Sequence, residues 1–192
     1  MLRLEPTIVW LRLASRSAFL PASRAAGPWD NTALVEISSL PLNYAAIARI
    51  LPHRYPFLLV DRITAFVPDV SITGIKNVTS SERYLSPPDD RGQQVLPPTI
   101  LTEAVAQVGG ILILSKPENA GRLIYFRGIE RARFRGSAMP GDSVEIFVKV
   151  IRLRSRMGLL TGYARVGDRI LVKGTMTFAL GPKADGSEGG ED

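Results

Sequence analysis

The stretch PPTILTEAVAQVGGILILS, Pro97–Ser115, settles the architecture. It opens on two prolines, which a helix tolerates in its first turn because the missing N–H would have no partner there. Ile, Leu, Val and Ala then follow on nearly every face, so a helix here must be enclosed by other elements rather than half exposed. Downstream the chain turns to strand chemistry. Arg122–Arg135, Ser143–Arg154, Gly158–Val166 and Arg169–Leu180 are four strand-length runs, punctuated by turns at Met139–Asp142 and Val166–Asp168. Upstream, Phe57–Phe66 and Ser71–Val78 read as two more strands joined around Pro68-Asp69. Before them, the spacing of Ile47, Ile50 and Leu51 predicts a short amphipathic helix over Asn43–Leu51, stopped by Pro52. This order predicts an α+β domain, an antiparallel β-sheet wrapped around a central α-helix.

With 192 residues, 45% hydrophobic and 22% charged, the chain suits one domain with a proper core plus tails. We expect the domain to span residues 41–180. Residues 1–40 read as an Arg-rich N-terminal extension, either an unstructured tail or upstream start, or a targeting segment. Residues 181–192, GPKADGSEGGED, read as a disordered acidic tail. The absence of cysteine excludes disulfides, thiol nucleophiles and thiolate zinc sites. It fits a reducing compartment, the cytoplasm or, if the extension is a transit segment, an organelle. His53 is the single histidine, so one chain cannot build a multi-histidine metal site. No stretch is long and apolar enough for a transmembrane helix, and no membrane partner is expected. A net charge of +6 favours acidic partners.

Several strings then occur in a fixed order: LPHRYPFLLVDRI at Leu51–Ile63, IKNVT at Ile75–Thr79, EAVAQ at Glu103–Gln107, GIERARFRG at Gly128–Gly136 and MPGDSVEI at Met139–Ile146. In these residues the chain resembles the FabZ-type 3-hydroxyacyl-acyl-carrier-protein dehydratases of fatty-acid biosynthesis over roughly Asn43–Leu180. The resemblance implies a hot-dog fold and a homodimer, or a trimer of dimers, with sites at the dimer interface. No cofactor and no metal are expected. Members of that family are hydro-lyases that remove water from a 3-hydroxyacyl thioester to give the trans-2-enoyl product. A histidine in a GHFPG stretch takes the α-proton, an acid on the central helix protonates the leaving hydroxyl, and a glycine N–H at that helix's start polarises the thioester carbonyl.

Carried over residue by residue, Glu103 holds the acid position. A carboxylate among Ile, Leu, Val and Ala is rare unless functional or bonded to nearby backbone N–H groups. Thr99, Gln107 and Phe126 are the substrate-binding candidates. Where the family reads GHFPG, this chain reads Ser86-Pro87-Pro88-Asp89-Asp90-Arg91-Gly92. Counted back from Glu103, Asp89 takes the histidine's place; counted forward from Asn77, Pro88 does. Asp89 and Asp90 are the substitute base candidates, against the alternative of a solvated Pro-Asp turn. Pro97-Pro98 replaces the family's Pro-Gly, and proline has no N–H, so Thr99 must supply any donor, shifted by one residue. His53 lies in a separate motif that the family also keeps, and its expected role is structural, where the chain leads into the first strand.

Arg131, Arg133 and Arg135 alternate along one strand and so share a face. They read either as a docking site for an acidic carrier protein, or its phosphopantetheine phosphate, or as a solvated sheet face. Arg152, Arg154 and Arg156 read as the latter. Without aromatic interleaving, no nucleic-acid partner is expected. The function expected is dehydration of acyl-carrier-protein or CoA thioesters. The alternatives are a hot-dog acyl thioesterase and a catalytically inactive acyl-thioester-binding subunit.

Overall fold

The computed structural model describes residues 40–183; the expected extension and most of the acidic tail lie outside this range. Helix α1 (Tyr44–Ile50) starts at Asn43, whose side chain accepts the N–H of Ala46 at 3.0 Å, the usual way to satisfy an orphan donor at a helix start. Helix α2 (Pro98–Leu114) follows Pro97 and runs for 17 residues, buried without a break from Ala104 to Leu114.

Six strands form one antiparallel sheet: β1 (Arg62–Val67), β2 (Ser71–Asn77), β3 (Arg122–Phe134), β4 (Ser143–Arg154), β5 (Met157–Val166) and β6 (Arg169–Lys183). Their spatial order is β1-β2-β4-β5-β6-β3. Helix α2 packs against β2, β3, β4, β5 and β6, so the sheet wraps it in the hot-dog arrangement. Burial alternates strictly along β2 and through most of β5, with Ile72, Leu160 and Ala164 turned towards the helix. Small residues let the layers approach closely. A Cβ at Gly109 would lie 2.8 Å from Leu160, and one at Gly162 would lie 2.8 Å from Val105.

Two expectations need correction. The first strand begins at Arg62 rather than Phe57, because Leu58, Leu59 and Val60 are buried in succession instead of alternating. That segment is held by a helix side chain, not by a strand. At the other end the sheet continues to Lys183, which pairs with Arg122, so residues 181–183 belong to the domain rather than to the tail.

Candidate active site

Thr99, Glu103 and Gln107 follow one another at four-residue spacing along α2 and therefore share one face of it. Gln107 is the buried anchor. Its Oε1 accepts the Leu59 N–H at 2.9 Å, and its Nε2 donates to the Phe57 carbonyl at 2.8 Å and to Glu103 Oε1 at 3.0 Å. The two backbone partners fix which end of the amide is which, so the end facing Glu103 is the donor. This single side chain holds Phe57 and Leu59 ahead of the point where the Asp61 N–H joins Ile75 O on β2 at 2.9 Å, and it orients the carboxyl.

Across from Glu103 stands His53. Its Nε2 lies 3.7 Å from Glu103 Oε1, and the two side chains are 28% and 30% exposed. The Phe57 ring packs 5.9 Å from the imidazole, and Tyr84 meets Phe57 edge-on at 6.1 Å. Burial pushes the Glu103 carboxyl above its ordinary range, against the smaller opposing pull of the Gln107 hydrogen bond. Burial also pushes the His53 imidazole below its ordinary value, with the neighbouring Arg54 charge adding to the effect. Both groups are thus driven towards their neutral forms. At 3.7 Å the two groups are in close contact, beyond hydrogen-bond length.

The other candidates lie elsewhere. Asp89 sits in an exposed turn where its Oδ1 accepts the N–H groups of Arg91 at 2.9 Å and Gln93 at 2.8 Å. Asp90 beside it is exposed. The neck of this loop is closed by Ser86, whose N–H donates to Val95 O at 2.8 Å and whose Oγ accepts the Val95 N–H at 3.1 Å. Thr99 is exposed at the start of α2, where its N–H has no intrahelical acceptor. Phe126 lies on β3 opposite Phe178, 37% exposed.

Arg131, Arg133 and Arg135 line a groove of about 360 Å³ with Thr161, Lys173 and Thr175, on the sheet face turned away from α2. Among the described residues none of these four cations has an ion pair. No described group of three or more His, Asp or Glu is placed to hold a metal ion, and no described helix is long and apolar enough to cross a membrane.

The sequence by itself gives His53 a structural role and does not join it to Glu103. Fifty residues separate the two, and neither periodicity nor spacing reports a contact of that range. The available signal was compositional: one imidazole in the chain, inside the most distinctive string of the domain.

A buried helix inside a wrapped sheet, with one oriented carboxyl at its second turn, defines a hot-dog domain. Solved structures agree on this fold. The dehydratase heterocomplex ApeI:P from Xenorhabdus doucetiae matches with a TM-score of 0.61 at 19% identity, over 71% of this chain and 91% of that one. A sigma28-regulated virulence protein from Campylobacter jejuni matches at 0.56 and 15%, over 74% and 94%. Likeness at such identities establishes the fold alone.

Sequence comparison goes further. The FabA-like domain family matches residues 51–175. The 3-hydroxyacyl-acyl-carrier-protein dehydratase FabZ of Desulforamulus reducens is 45% identical over 142 residues, 74% of this chain and 99% of that protein. Its counterpart in Moorella thermoacetica is 42% identical over 144 residues, 75% of this chain and 100% of that protein. The chain belongs to the FabZ-type dehydratase family.

Proposed function

We propose that the protein removes water from 3-hydroxyacyl thioesters, the activity that its curated relatives' names state of them, with Glu103 as the acid. One observation carries this reading: a half-buried carboxyl on the central helix, held by Gln107 and driven by burial towards its protonated form. A general acid must hold its proton at working pH, and burial beside apolar side chains achieves that. The Thr99 N–H, freed at the helix start, is the donor available to a thioester carbonyl. Asp89, which counting back from Glu103 supplies, and its neighbour Asp90 are the base candidates read from sequence.

The groove lined by Arg131, Arg133 and Arg135 suits an acidic acyl carrier protein or the phosphate of its prosthetic arm. Strand β3 supports the homodimer. It is an edge strand with Leu123, Tyr125, Ile129 and Phe134 exposed, and an apolar unpaired edge calls for a second copy. Sedimentation should show a dimer or a multiple of it; a monomer at micromolar concentration would remove this part of the reading.

The test of the activity is direct. Full-length protein with 3-hydroxyacyl carrier proteins of several chain lengths should produce enoyl absorbance. Glu103→Gln should slow it about 100-fold to 10,000-fold, the usual contribution of a general acid. Release of free thiol instead would identify a thioesterase, and tight binding without turnover an acyl-binding subunit.

A further inference from the structure

We infer that His53 is the catalytic base of this site: its Nε2 takes the α-proton of the 3-hydroxyacyl thioester while Glu103 gives its own proton to the departing β-hydroxyl. The inference rests on the dehydratase reading above and supplies the partner that Glu103 needs.

Geometry supports it first. The α-hydrogen and the β-hydroxyl sit on adjacent carbons, so base and acid must stand a few ångströms apart and face one space. His53 Nε2 and Glu103 Oε1 are 3.7 Å apart, which is close enough for that task and too long for a hydrogen bond. The imidazole is therefore not spent on the carboxyl. Glu103 Oε1 is occupied by Gln107, which leaves Oε2 to carry the proton that leaves with the hydroxyl.

Second, His53 is poorly explained as a purely structural residue. Its Nδ1 is buried with no hydrogen-bond partner among the described residues. A buried polar atom without a partner is destabilising, and such atoms call for a reason other than stability. With Nδ1 enclosed, Nε2 is the nitrogen left for substrate. The neutral ring then carries its proton on Nδ1.

Third, the charge states suit the cycle. The titratable and charged groups around the ring are Glu103 from α2 and Arg54 from its own loop, and the Arg54 guanidinium is tied to the carbonyls of Leu51 and His53, both at 2.8 Å. Phe57, backed by Tyr84, covers the ring. Burial shifts the imidazole towards its unprotonated form and the carboxyl towards its protonated form, the directions that a base and an acid need before substrate arrives.

The step balances. The C–H electron pair becomes the new C=C bond, the C–O pair leaves with oxygen, and the Glu103 proton completes the water. His53 ends protonated and Glu103 ionised. Passing that proton from Nε2 back to the carboxylate, across 3.7 Å or through the product water, restores both groups.

The single histidine makes the test clean, provided that the full-length protein is made without a histidine tag. With 3-hydroxyacyl carrier protein as substrate, His53→Asn should lower kcat/KM by about 100-fold or more. It should also remove the fall in rate on the acid side of the pH profile, which wild type shows below the ordinary histidine range. If the variant does not fold, diethyl pyrocarbonate on wild type gives a second reading. Activity should fall in step with carbethoxylation of the one imidazole, be protected by acyl substrate, and return with hydroxylamine. Wild-type kcat/KM in His53→Asn, or activity that survives full modification, overturns the inference and leaves the dehydratase reading standing. So does loss of activity in Asp89→Asn alone, which would place the base in the exposed loop. A wild-type protein inert on every chain length overturns both.

Discussion

On the helix side of the sheet, Gln107 satisfies two backbone groups and orients Glu103, which in turn stands opposite His53. On the outer side, Arg131, Arg133, Arg135 and Lys173 crowd one groove, with no carboxylate paired to them among the described residues. The inner site uses few polar atoms, most of them with partners, and burial drives its two titratable groups towards neutrality. The outer site leaves its charges in water. A partly buried pair shifted towards neutrality is suited to moving protons, because solvent competes less for its lone pairs. A wet cluster of like charges is suited to drawing in an anionic partner, where long-range attraction matters more than placement.

The contrast is broken most readily at Gln107. Gln107→Leu keeps the volume close but leaves the Leu59 N–H and the Phe57 carbonyl without partners in a buried place. Each such group costs about 1–3 kcal/mol, so urea unfolding should show roughly 2–6 kcal/mol of lost stability. Turnover should fall as well, because Glu103 loses the donor that fixes its orientation. If stability falls and the remaining folded enzyme works as before, Gln107 supports the loop only.

The outer site should respond differently. Replacing Arg131 and Arg133 together by alanine should leave stability nearly unchanged, since neither side chain is buried. The KM for a carrier-protein substrate should rise about tenfold in low salt, and the difference should shrink in high salt as screening hides the missing charges. An unchanged KM at all salt concentrations would reduce the groove to a solvated face.

How far each region could be read from sequence follows the same division. The apolar helix Pro98–Leu114 and the alternation in β4 and β5 are local signals, and they place that helix and those two strands to within a residue. Glu103 is legible for the same reason, as a carboxyl where the pattern demands an apolar residue. Phe57–Asp61 is misread as strand because an apolar run has no period to distinguish a ladder from a segment held by Gln107. The nearness of His53 to Glu103 is invisible because it depends on where α2 and the Pro52–Pro56 loop are brought by packing. The Arg131 groove lies between: alternation shows that three arginines share a face, but the adjoining Lys173, Thr161 and Thr175 come from β5 and β6 through the register of the sheet.

The smallest expected effect tests the inner pair without any catalysis. The Glu103 carboxyl is raised above its ordinary 4.5, so the folded chain holds its proton more tightly than the unfolded chain does. That stabilisation is complete below 4.5 and is lost as pH rises through the raised value. The His53 imidazole is lowered below its ordinary 6.5, so the unfolded chain binds the proton more tightly. Its contribution is complete above 6.5 and is lost as pH falls through the lowered value. Glu103→Gln should therefore gain on wild type as pH rises from 4.5, and His53→Asn should gain on wild type as pH falls from 6.5. Urea midpoints of the three proteins across that range read both slopes. Parallel curves would mean that neither group is sheltered from water enough to shift its titration, and the difference between the sheltered face and the wet one would disappear.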